Sequence, residues 1–124
     1  MRQSTALLTG TLLFCLTMNA LPQDTTVSGT LVDLACYTQN KDNTGNHHVR
    51  MGYTCAQACA REGIEVGLLT TDGKVYHLRG AVTAHSNARL VPYMASAVWI
   101  SGHVSELGGQ MYLTSDTVRP EQHP

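Results

Sequence analysis

Two glycine turns constrain this chain more than any other feature. Asp72-Gly73 and Gly108-Gly109 each sit between short runs rich in β-branched and apolar residues, the signature of tight β-hairpins. The first joins Glu65–Thr71 to Lys74–Arg79, and the second joins Ala97–Glu106 to Gln110–Ser115. In the strand opening the second hairpin, Val98, Ile100 and Val104 fall on one face. A further strand spans residues 25–36 (TTVSGTLVDLAC), with Val27, Leu31 and Val32 apolar and Gly29 at a bulge. Between the hairpins, Ser86 caps a short helix over Asn87–Met94 that tolerates Pro92 only in its first turn or at a break.

Strand, long loop, hairpin, helix, hairpin is the order of an OB-like barrel: five strands, with a short helix between strands 3 and 4. Ser28-Gly29-Thr30-Leu31 echoes Ser101-Gly102-His103-Val104, and mid-strand glycines let strands coil round so small a barrel. An antiparallel sandwich carries the same local signals and stays open as the alternative. The long loop after strand 1, Tyr37 to Tyr53, is polar and aperiodic. It leads into a helical turn over Cys55–Glu62, capped by Thr54 and closed by Gly63.

The first twenty residues read as a signal peptide rather than as fold. Arg2 precedes an apolar run, Ala6–Leu16, and Met18-Asn19-Ala20 places cleavage near Ala20. That run is short for a membrane span, and the expectation is export to the periplasm or extracellular space, with no span in the mature chain. One domain then remains, residues 21–124, with seven basic against nine acidic residues. No basic excess is present to hold phosphates, which argues against a nucleic-acid partner.

The mature chain keeps three cysteines, Cys36, Cys55 and Cys59, and three cannot all pair within one chain. Cys55 and Cys59 lie one helical turn apart on one face, with Cα atoms about 6 Å apart. A disulfide between them would be strained, whereas two sulfurs on one tetrahedral metal need a separation of only ~3.7 Å. Cys36 and a loop histidine complete a ligand set. His48, nearer Met51 and Cys55, is preferred over His47, and Met51 is a further soft donor. Thiolate and imidazole suit zinc or copper(I), not calcium or magnesium. The residues that follow Cys59, Ala60-Arg61-Glu62-Gly63, lack the His and Met of an electron-transfer copper centre. Two other uses of the thiols stay open: a disulfide from Cys36 to one helical cysteine, stapling an interaction domain of an envelope or extracellular assembly, and a redox-active thiol.

Other candidates are weaker. Trp99 faces away from Val98 and Ile100, and with His103 and Tyr112 it could form a binding surface. The more ordinary fate of such a ring is packing under a loop. His77 and His85 read as solvent-facing or turn residues. Asp33 lies near Cys36, but nothing marks a carboxylate pair, and no nucleophile elbow, phosphate loop or His-Glu-x-x-His motif is present. The reading is a binding protein and not an enzyme.

The run Cys36 … His48 … Cys55-Ala-Gln-Ala-Cys59 … Gly63-Ile-Glu-Val-Gly-Leu-Leu-Thr-Thr-Asp-Gly-Lys-Val-Tyr76 resembles a set of small exported bacterial proteins. These pair a Cys–His–Cys-x3-Cys cluster with an OB-like barrel, and the likeness covers residues 27–115. It implies the fold and brings no activity with it.

Overall fold

The computed structural model describes residues 23–46, 49–50 and 52–122. Strands β1 (Thr25–Asp33), β4 (Val66–Leu69), β5 (Val75–Arg79), β6 (Ala97–Leu107) and β7 (Gln110–Thr114) form the barrel. Their order is β1-β4-β5-β7-β6, and β6 pairs back to β1 to close the ring. All neighbours are antiparallel except β5 and β7, which run parallel. This is the OB-like arrangement that the hairpin order implies. Helix α1 (Leu34–Gln39) follows β1, and a small hairpin of β2 (Val49–Arg50) and β3 (Tyr53–Thr54) leads into helix α2 (Cys55–Arg61). A short strand β8 (Arg119–Pro120) joins the edge of β6.

The repeated Ser-Gly marks where strands change partner. β1 pairs with β6 from Thr25 to Thr30 and with β4 from Thr30 to Asp33. β6 in turn pairs with β1 up to Gly102 and with β7 from His103 onward. At Gly102 a side chain would run into the Thr114 carbonyl, and at Gly29 into that of Leu69. Only glycine permits such close crossing. Inside the ring Leu31, Leu68, Leu78, Val98, Ile100 and Leu113 are buried, joined by Leu90 and Met94 and by Ala56 and Ala60 of α2. A second cluster of Val32, Leu34 and Tyr37 packs α1 against Leu69 and Val75.

Four local expectations change. β1 stops at Asp33, because its carboxylate accepts the Cys36 N–H (3.0 Å) and starts a helix; Cys36 therefore lies in α1, not in the strand. The Asp72-Gly73 hairpin is one residue longer than a two-residue turn: Thr70 N–H donates to the Lys74 carbonyl, with Gly73 at φ +85°. The loop after α1 holds the β2–β3 hairpin. Finally, the connection between the third and fourth barrel strands is not a continuous Asn87–Met94 helix. It is a 3-10 turn (Ala81–Thr83), a left-handed stretch with φ of 55°, 53° and 58° at His85, Ser86 and Asn87, and a second 3-10 turn over Val91–Tyr93 that begins around Pro92.

Left-handed backbone costs about 1–2 kcal/mol per non-glycine residue, so something must hold it. Asn87 does. Its buried side chain donates from Nδ2 to the carbonyls of Ala60 and Ile64, both at 2.9 Å, tying the end of α2 to this turn. Asn87→Asp keeps size and tolerance of the left-handed region but removes both donors. It should lower stability by about 2–3 kcal/mol, read as a shifted urea midpoint with unchanged slope.

Candidate metal centre

Helix α2 is built to stay in place. Thr54 accepts the Gln57 N–H while the Gln57 side chain accepts the Thr54 N–H, a reciprocal capping box. At the other end Gly63 N–H donates to the Ala60 carbonyl and Ile64 N–H to that of Cys59, a Schellman closure with Gly63 at φ +82°. Ala56 and Ala60 turn inward and are fully buried. Their small side chains let the helix sit close, and Gly45, at φ +95°, lies directly against the Ala56 methyl. Cys55 and Cys59 occupy a neighbouring face at the rim, each half-buried.

Across from them, α1 presents Cys36. The Sγ atoms of Cys36, Cys55 and Cys59 all lie within 4.8 Å of one another. None is in a disulfide. The staple from Cys36 to a helical cysteine is therefore not formed, and three free thiols share one site. Small rotations of side chains bring such sulfurs to the ~3.7 Å spacing of a tetrahedral centre.

Asp33, which the sequence marks only as a carboxylate near Cys36, does more in the fold. It is 2% exposed and ends β1 on the same face as Leu31, toward the interior. Hydrogen bonding to its carboxylate, followed by burial, pushes the Cys36 thiol from 9.0 up to about 12. Burial and then the same carboxylate charge push the Cys59 thiol up as well. Cys36 and Cys59 thus hold their protons more firmly than ordinary thiols, and a cation among the sulfurs would displace them. The clue in sequence was an Asp three residues before a Cys, a helix-start pattern hidden inside a strand-like run.

His48, His47 and Met51 lie outside the described residues, as does the Ala6–Leu16 segment. Trp99 is 51% exposed, as strand alternation requires. Tyr112 does not join it: the β6–β7 register sets Tyr112 opposite Ser105, about 20 Å along the strand from Trp99. Tyr112 is also covered, by Arg79 at 3.6 Å from the ring centre and by the His77 ring at 5.3 Å. His103 is exposed opposite Thr114. His77 is less exposed than its alternation implies, because Glu65 binds its Nδ1 at 2.8 Å. A cavity of about 400 Å³ beside α2 is lined by Gly63, Glu65, Ser86 and Asn87 among others, and no thiol reaches it. Among the described residues, no helix is long and apolar enough to cross a membrane.

No family model, curated protein or solved structure matches the chain, so the site stands on its own geometry.

In the metal-free protein, Cys36 should react with iodoacetamide at pH 7.5 more slowly than an unperturbed thiol. Asp33→Asn lowers the Cys36 pKa toward its ordinary value, enlarges the thiolate fraction and should speed labelling by about tenfold or more. Peptide mass mapping over a time course reads both.

Proposed function

We propose that the chain is a small exported binding module that holds one transition-metal ion, zinc or copper, through Cys36, Cys55 and Cys59. The convergence of three unpaired sulfurs within 4.8 Å carries this reading. The sulfurs come from two helices that the chain separates by a long polar loop, so a shared ion would also pin that loop to the barrel. Soft sulfur donors favour zinc or copper(I) over hard cations. Export is supported by the Arg2, Ala6–Leu16 and Ala20 pattern and by the resemblance to small exported bacterial barrels.

Because no such site exists in the unfolded chain, metal-binding free energy becomes folding free energy. Cys36→Ser, Cys55→Ser and Cys59→Ser should each abolish stoichiometric metal. Each should cost about 3 kcal/mol or more, lowering Tm by ~12 °C or more, and each should make melting insensitive to a chelator. Melting of the reduced wild type with and without chelator, beside the three variants, is the test. Chelator-insensitive wild-type melting with one dispensable helical cysteine would contradict the metal reading.

A further inference from the structure

The cavity of about 400 Å³ beside α2 is of ligand-binding size. Val66, Leu78 and Asn87 are buried and form its floor, while Glu65, Thr83 and Ser86 stand at the rim. One wall is the left-handed turn, with Ser86 at φ 53° and Asn87 at φ 58°, and strained backbone of this kind gathers where ligands are held. Asn87 spends both Nδ2 hydrogens on the Ala60 and Ile64 carbonyls, and its Oδ1 accepts nothing from the described residues. That oxygen is not sealed in. Among the described residues, the side-chain oxygen that is both sealed and unpartnered is Asp33 Oδ2. Since Asn87 is 4% exposed and lines the cavity, its Oδ1 meets solvent there. Glu65 is held in place as well. Its Oε1 accepts from His77 Nδ1 at 2.8 Å, which leaves Oε2 as a charged acceptor at the rim.

We propose that this cavity binds a small organic cation, through an ammonium or guanidinium group, with Glu65 as its counter-charge and Asn87 Oδ1 as a hydrogen-bond acceptor. The balance of donors and acceptors in the lining carries this. Among the described residues no lysine or arginine lines the cavity, so a carboxylate or phosphate would meet the Glu65 charge unopposed. An ammonium or guanidinium brings only donors, and Glu65 Oε2, Asn87 Oδ1 and the Ser86 hydroxyl can all accept them. A hard metal ion fits less well. Calcium takes about six to eight oxygens, several of them from carboxylates, and here one carboxylate stands alone. The cavity holds no thiol, so this site does not depend on whether the cysteines hold an ion.

The test is an NMR titration of the isotope-labelled protein with butylguanidinium, and separately with pentanoate and pentanamide, which match its length but carry negative or no charge. Butylguanidinium should shift the amides of Glu65, Val66, Ser86 and Asn87 saturably, with a Kd of about 1 mM or tighter. Pentanoate and pentanamide should bind about tenfold more weakly or not at all. Glu65→Gln keeps an acceptor for His77 and should weaken butylguanidinium binding about tenfold or more. Glu106→Gln, at an exposed carboxylate outside the cavity, should leave it unchanged. Thr83→Phe sets a ring into the cavity from a residue at φ −95°, an ordinary value, and should abolish binding; it decides the matter should Glu65→Gln disturb folding. The absence of saturable shifts with butylguanidinium, shifts centred on other surfaces, equal binding of pentanoate, or wild-type affinity in a folded Glu65→Gln or Thr83→Phe variant would overturn the assignment.

Discussion

Asp33 ends β1 opposite Val66 and begins α1 by accepting the Cys36 N–H, so one buried side chain turns a barrel strand into the arm that carries a thiol. The main chain reinforces this corner, since Leu34 N–H donates to the Glu65 carbonyl at 2.9 Å. Upstream, β1 has already changed partner at Thr30, bending where Gly29 lets the Leu69 carbonyl pass. The direction in which α1 leaves the barrel is therefore set by the coiling of β1, and the place of Cys36 follows from the same geometry. A longer strand would carry Cys36 away from α2, and a shorter one would leave the Asp33 carboxylate outside the barrel's end.

The second arm is held differently. α2 buries only Ala56 and Ala60, and two methyl groups contribute about 0.8 kcal/mol each, too little to order a seven-residue helix. Its caps, the two Asn87 hydrogen bonds and the close seat of Gly45 against Ala56 do most of the holding. A transition-metal ion held as proposed would contribute on the order of 10 kcal/mol, more than each of these. The left-handed turn at His85–Asn87 makes sense in that light. Its strain is the local cost of aiming Asn87 at the end of α2, and it fixes the spacing between the helix and the barrel.

Both hairpins, the Thr54 cap, the Gly63 stop and the one-face placement of Cys55 and Cys59 were legible in the sequence. Each rests on chemistry within four residues. The Ser-Gly echo was legible as well, because close strand crossing leaves glycine as the only residue that fits. What was hidden depends on distant partners. Residues 34–36 read as the end of a strand and 37–39 as the start of a polar loop, yet Leu34 and Tyr37 bury their surface from a helix against Leu69 and Val75. Asn87 read as an ordinary helical residue, because its reason for a left-handed backbone is two carbonyls more than twenty positions earlier. Asp33 read as a stray carboxylate for the same reason: only the fold brings α2 and its thiols over the end of β1.

The central claim is that Cys36, Cys55 and Cys59 hold an ion as free thiolates rather than staple the loop by a disulfide. Mass spectrometry of the protein purified without reductant tests this most directly when native spectra are compared with denaturing spectra after alkylation. The account predicts a native mass carrying one metal ion and a denatured chain that takes three alkyl groups. A metal-free native mass short of two hydrogens, with a single alkylated cysteine, would contradict it.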